Sequence, residues 1–250
     1  MHIDLRKVYA VWYREIKRTL NSKGRILGSL GMPLFMLLAL GVGIGALVKD
    51  FNYQSFILPG IIGQVLLFNS IFAGVSVIWD RQFGFLKEML VSPTSRRDIV
   101  LGRMLGGATN AVVQGMLVLF MGTLFGISPI LQPINYIILL ILMFFISSSF
   151  VGVGIAIASM IEEMETFQLI MNFIIMPIFF LSNALFPVEK LPTWLHSVVK
   201  LNPLTYAVDG FRYLIVSSSS FPFVTDLFAC TVFLILSVGI SAYLFDRTRI

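Results

Sequence analysis

The sequence predicts an all-α membrane protein with six transmembrane helices. Two observations carry that prediction. Of the 250 residues, 57% are hydrophobic and 12% are charged, and the mean hydropathy is +0.90. Soluble domains are about 45–50% apolar and about 25% charged, so a water-soluble fold of this length lacks the polar surface to cover its apolar residues. The apolar residues also gather into six long runs. Long continuous runs indicate helices, since the strands of a membrane barrel alternate over about ten residues.

The runs are 26–48, 56–78, 99–125, 134–161, 167–186 and 224–245. Each is near the roughly 20 residues a helical span requires. Gln114 lies inside the third, and Pro177 interrupts the fifth. No low-complexity linker divides the chain, so residues 1–250 read as one transmembrane domain. It has an N-terminal segment, 1–25, and a long loop segment, 187–223.

The N-terminal segment is helical in its period. Leu5, Val8, Tyr9, Trp12, Tyr13, Ile16 and Leu20 fall within an arc of about 140° on a helical wheel. Arg6, Lys7, Arg14, Lys17 and Arg18 fall opposite. That pattern predicts an interfacial helix in a headgroup plane, packed flat on the spans or gating a lipid or substrate. The polar lead and the span-length run after it argue against a cleaved signal peptide.

Lysine and arginine placement predicts the orientation. Seven precede the first span, five lie between spans two and three, and two follow the sixth, against Lys49, Lys190, Lys200 and Arg212 on the other side. Fourteen against four puts both termini in the cytoplasm. The loop after span four holds Glu162, Glu163 and Glu165 and no base; acidic residues weigh little in this rule. The net charge of +5 then reports orientation and anionic lipid, not nucleic acid.

Several chemistries are missing. Cys230 is the single cysteine and forms no intrachain disulfide. No G-x-x-x-x-G-K-[ST] run exists to cradle a nucleotide. Only His2 and His196 are present, on opposite sides of the predicted membrane, and neither H-E-x-x-H nor G-x-S-x-G occurs. An enzyme is not expected, and no cofactor or metal is expected in this chain. The span centres carry no ionisable residue, which argues against ion coupling. Their polar residues are Gln64, Asn69, Asn110, Gln114, Gln168 and Asn172. These either bond between helices, at roughly 0.6–2 kcal/mol each, or line a translocation path.

Two loops carry the most information. After span two, Phe83, Phe85, Leu86, Lys87, Glu88, Met89 and Leu90 lie in a stretch that can form a short amphipathic helix, with Pro93 stopping it. Ser95 then caps the next helix with Asp98 as capping-box partner. The short helix suits docking into a partner's groove, or simple interfacial packing. After span five, Phe186, Pro187, Leu191, Pro192 and Trp194 form an apolar turn-rich segment. Asn202 and Pro203 start a helix that carries Tyr206, Asp209 and Arg212, with Leu204, Ala207, Phe211 and Ile215 along one face. The expectation is two short helices dipping into the outer leaflet, as a lid or as a substrate exit gate.

These segments resemble the membrane subunit of type-2 ABC exporters, over essentially the whole chain. The resemblance rests on the basic N-terminal helix, on Phe85-Leu86-Lys87-Glu88 running into Leu90, Pro93 and Arg96, and on Glu163 and Gln168. It rests most on the run Phe180-Leu181-Ser182-Asn183-Ala184-Leu185-Phe186-Pro187 and on the run from Asn202 to Arg212. The drug-resistance and nodulation lipo-oligosaccharide branch looks most similar. Asn183 departs from the family, where this position is often glycine.

The resemblance implies a half-transporter in a prokaryotic plasma (inner) membrane. A second permease chain, expected to be a second copy, would pair with it. A dimer of ABC ATPase subunits, holding ATP and magnesium, would dock below on the 83–90 helix as coupling helix. Glu162, Glu163 and Glu165 would be a lesser contact. The cargo would be an amphipathic or lipid-like solute such as a drug, antibiotic, lipid or lipo-oligosaccharide. Alternatives are export of a lipid-linked polysaccharide, or an accessory membrane subunit that transports nothing.

Overall fold

A computed structural model describes residues 4–47, 52–84, 94–127, 132–188 and 192–247, and every regular element among them is a helix. Helix α1 (Leu5–Leu20) starts at Asp4, whose carboxylate accepts the Arg6 N–H at 3.0 Å. The next run joins α2 (Lys23–Met36), a π-helical turn (Leu37–Val42) and α3 (Gly43–Leu47). Asn52 caps α4 (Tyr53–Ala73) by accepting the Ser55 N–H at 3.2 Å, and α5 (Val75–Gln82) follows after Gly74.

Helix α6 (Arg96–Leu124) opens on the expected capping box. The Ser95 hydroxyl accepts the Asp98 N–H at 3.1 Å, and the Asp98 carboxylate accepts the Ser95 N–H at 3.2 Å. The remaining helices are α7 (Pro133–Met160), α8 (Met164–Phe180), α9 (Thr193–Leu201), α10 (Pro203–Val216) and α11 (Phe223–Asp246).

Four helical stretches among the described residues are long and apolar enough to cross a membrane: Tyr53–Gln82, Arg96–Leu124, Pro133–Met160 and Phe223–Asp246. They match expected spans two, three, four and six. Spans one and five fall on shorter apolar helices, Gly28–Val42 and Met164–Phe180. The Tyr53–Gln82 stretch, at ~1.5 Å per residue, is about 45 Å long, against a hydrocarbon core of about 30 Å.

Helix α4 is the core of the bundle. Ile57, Leu58, Ile61, Ile62, Leu66 and Ile71 are fully buried on it. It packs on α6, α7 and α10, while α7 also packs on α11. Where α4 meets α7 the backbones nearly touch. A Cβ on Gly154 would lie 2.3 Å from the Ile71 carbonyl oxygen, so only glycine allows the approach.

One expectation needs correction. The fifth span was expected to run to Phe186, but α8 ends at Phe180. The Asn202 side chain, from α10's cap, donates to the carbonyls of Ile178 at 2.6 Å and Leu181 at 2.9 Å. It thereby satisfies the end of α8 and turns the chain away. The structure also sets which side of α1 packs on the bundle. The most buried residues of α1 are Val8, Val11, Glu15 and Thr19, which lie against α6. Leu5, Tyr9, Tyr13 and Leu20 of the apolar arc are exposed. Glycines on α6 explain the choice: a Cβ on Gly102 would meet Val11 and one on Gly106 would meet Glu15, each at 2.6 Å. The helix inserts its narrow side there and leaves its aromatic side outward.

Candidate functional site

The end of the bundle that carries α1 is held by a buried charge network. The Asp80 carboxylate, at the end of α5, accepts from Arg103 of α6. It also accepts from Arg14 Nη2 of α1, at 3.1 Å to each oxygen. Arg103 Nη1 donates to the Ser76 hydroxyl at 3.0 Å. Asp80 and Arg103 are almost fully buried, and Arg14 is partly exposed. Three helices thus converge on one carboxylate. The sequence reading did not single out Asp80 or Arg103, because they are 23 residues apart on different helices.

A cavity of about 210 Å³ lies beside this network, between α1, α2, α4, α5, α6 and the start of α8. Glu15, Arg18 and Thr19 come from α1, Ser29 from α2 and Asn69 from α4. Arg103, Asn110 and Gln114 come from α6, and Phe72 and Trp79 add aromatic wall. Asn110 Nδ2 donates to the Thr19 hydroxyl at 2.7 Å, and the Ser29 hydroxyl donates to Gln114 Oε1 at 2.7 Å. Asn69 Nδ2 donates to the Val65 carbonyl at 2.9 Å. Arg18 sits 3.2 Å from Glu15.

Three of the six polar span residues therefore come together: Asn69, Asn110 and Gln114. Gln64 is buried elsewhere on α4, and its Oε1 has no hydrogen-bond partner. Gln168 and Asn172 lie on the exposed face of α8, among Leu169, Phe173 and Met176.

Of the expected docking residues, Phe83 caps the C-terminus of α5 and is exposed. Gly84 follows with φ +79°, so the helical path ends there. Phe85, Leu86, Lys87, Glu88, Met89 and Leu90 lie outside the described residues. The acidic loop meets the same end of α5. Arg81 donates to the carbonyls of Ser159 and Ile161, both at 3.3 Å, and Gln82 Nε2 donates to the Glu162 carbonyl at 3.3 Å. Glu163 is the residue before α8 and accepts the Thr166 hydroxyl at 3.1 Å. Glu162 and Glu165 are exposed.

The expected gate residues lie at the other end. Asn202 caps α10 by accepting the Leu204 N–H at 3.0 Å, with Pro203 at its first position. Leu204, Ala207, Phe211 and Ile215 are all buried, but so are Asp209 and Arg212 on the other face, so α10 is enclosed on more than its apolar side. Asp209, fully buried, accepts the Ser220 N–H at 3.0 Å and the Phe221 N–H at 2.9 Å. Arg212 lies 3.6 Å from Asp209, donates to the Asn183 carbonyl at 2.7 Å, and stacks over Phe56 at 3.9 Å.

Asn183 itself is left-handed, with φ +58°. The Tyr206 hydroxyl donates to the Lys200 carbonyl at 2.7 Å; burial and then the Asp226 carboxylate raise this phenol above its usual range. Phe186 and Trp194 are exposed, Pro187 is half-buried, and Pro192 precedes α9. Leu191 lies outside the described residues. Asp209 and Arg212 thus tie the α8 exit, α4 and the 217–222 loop into one unit.

Residues 6–216 match the family model described as ABC-2 type transporter. The chain is 25% identical over 250 residues to "Nodulation protein J" of Rhizobium leguminosarum bv. trifolii, covering 95% of this chain and 92% of that one. It is 24% identical over 255 residues to "Inner membrane transport permease YadH" of Escherichia coli K12, covering 100% and 98%. It is 30% identical over 185 residues to "Putative transport permease ycf38" of Cyanophora paradoxa, covering 73% of this chain and 62% of that protein's length.

Proposed function

The chain belongs to the ABC-2 type transporter family and is a membrane transport permease, and from that premise we propose that it is one half of an ATP-driven exporter for an amphipathic solute. The observation that carries the proposal is the polar cavity beneath α1, in a chain with no nucleotide-binding motif of its own. An uncharged span centre with a polar pocket at one edge suits an amphiphile entering head first from the leaflet. An uncharged span centre does not suit ion coupling.

In this proposal all six apolar helices cross. The continuous helical run through α2, the π turn and α3 supports the first crossing, and α8 the fifth. The fourteen-to-four bias in basic residues supports cytoplasmic termini and a cytoplasmic α1. Relatives named as transport permeases, one of them in an inner membrane, support the location. ABC ATPase subunits, with ATP and magnesium, would dock where α5 ends at Phe83 beside the Glu162–Glu165 loop. A second permease chain would cover the α8 face, where the exposed amides of Gln168 and Asn172 would otherwise meet lipid. ATP-driven closure of the ATPases would tilt the two permeases and carry the solute from the cavity toward the α9–α10 end.

The test is reconstitution. The chain, purified with its ABC ATPase into vesicles, is expected to move a fluorescent amphiphile only with ATP. A complex that hydrolyses ATP but moves none of a panel of drugs and lipids would favour the accessory-subunit alternative.

A further inference from the structure

We propose that the cavity beneath α1 is a binding site for the phosphate-bearing headgroup of a membrane amphiphile. The proposal deepens the exporter reading above, and rests on it for the headgroup's being part of a cargo. The volume sets the size of the occupant. The cavity measures about 210 Å³. It falls below the ~300–1,000 Å³ that encloses a whole drug-sized ligand. A headgroup fits, and an entire amphiphile does not.

The lining sets the chemistry. Two guanidiniums, Arg18 and Arg103, face one carboxylate, Glu15. Arg103 is bonded to Asp80 behind the wall, and Glu15 is 3.2 Å from Arg18 Nη2. Arg18 Nε is buried and has no acceptor. A buried donor of this kind is costly unless an acceptor arrives. Gln114 gives its Oε1 to Ser29, which leaves its amide N–H groups to the cavity. Two donor groups from two helices suit phosphate oxygens, and the excess of one cation comes from counting the whole network, Arg14, Arg18 and Arg103 against Asp80 and Glu15.

The remaining groups suit what flanks a phosphodiester. Asn69 and Asn110 spend their amide nitrogens on Val65 and Thr19, so their oxygens remain as acceptors for ligand hydroxyls. Phe72 and Trp79 add apolar wall for the ester carbons. The exposed aromatic side of α1, with Tyr9 and Tyr13, places the pocket at a headgroup plane, where a phosphate bound to an acyl chain is at hand.

Binding is measured on the full chain in detergent, with Trp12→Phe and Trp194→Phe so that Trp79 alone reports. The probes are dihexanoylphosphatidylglycerol, dihexanoylglycerol and inorganic phosphate. Saturable quenching by the phospholipid is expected, at least tenfold tighter than by either other probe. Arg18→Gln is expected to weaken it at least tenfold. Gln114→Leu, on a different helix, is expected to weaken it several-fold and covers the case in which Arg18→Gln disturbs α1.

Equal binding by dihexanoylglycerol overturns the phosphate assignment, and equal binding by inorganic phosphate reduces the site to a free-anion site. Unchanged binding in both variants overturns the proposal. The assay uses neither ATP nor the ATPase. Phospholipid binding retained in a complex that exports nothing would therefore sink the exporter reading and leave the site standing.

Discussion

Asp80 and Arg103 form a buried ion pair between α5 and α6, and the more exposed Arg14 of α1 reaches both oxygens of the same carboxylate. One residue thereby fastens the interfacial helix and the third apolar helix to the end of the stretch that leads to Phe83. The pair's desolvation makes its two halves unequal to Arg14. Asp80→Asn leaves Arg103 buried without its counter-charge and is expected to cost about 3–5 kcal/mol. Arg14→Gln removes a partly exposed partner and is expected to cost ~1 kcal/mol or less. Thermal unfolding of the two variants in detergent checks the order; a larger loss for Arg14→Gln contradicts it.

The left-handed backbone at Asn183 explains why glycine is compatible with that position. Asparagine tolerates φ +58° better than most residues, and its Oδ1 accepts the Val188 N–H at 3.2 Å. Asn183→Gly keeps the backbone and loses the bond. Asn183→Val loses the bond and adds backbone strain of about 1–2 kcal/mol. The expected ranking of melting temperature is Asn, then Gly, then Val. A valine variant as stable as the glycine variant contradicts the geometry.

Asp226, at the start of α11, is fully buried, and neither carboxylate oxygen has a hydrogen-bond partner. Asp209 adds like charge nearby. Asp226→Asn removes the ionisable group at nearly constant volume and is expected to hold or raise the unfolding midpoint. Asp209→Asn takes a carboxylate from Arg212 and from two backbone N–H groups, and is expected to lower it. A clear loss for Asp226→Asn would reveal a partner for that carboxylate.

Topology is checked by labelling. A cysteine at Trp194, on exposed α9, is expected to react with an impermeant maleimide in intact cells once Cys230 is replaced by serine. A cysteine at Glu163 is expected to react only after permeabilisation. The reverse pattern inverts the orientation.

The helices were legible because a 20-residue apolar run has few other solutions in lipid, and the caps at Ser95 and Asn202 stand one residue from where each helix starts. The buried side of α1 was not legible. Amphipathicity identifies a side to hide from water, but in a bilayer the aromatic side can face lipid while a narrow side enters a glycine groove on α6. The end of α8 escaped notice because its cap, Asn202, comes from another helix 21 residues on. The cavity was half legible. Asn69, Asn110 and Gln114 stand out as polar residues in apolar runs, whereas Arg103 and Glu15 look like ordinary flanking charge until the helices are assembled.

Drive by a separate ATPase through the segment after Phe83 is tested by Glu88→Arg. The variant and the parent chain are each reconstituted with the ATPase, and hydrolysis and amphiphile export are measured in the same vesicles. The ATPase is expected to continue hydrolysing ATP with the variant while export falls at least tenfold. Unchanged assembly with unchanged export per ATP would contradict it.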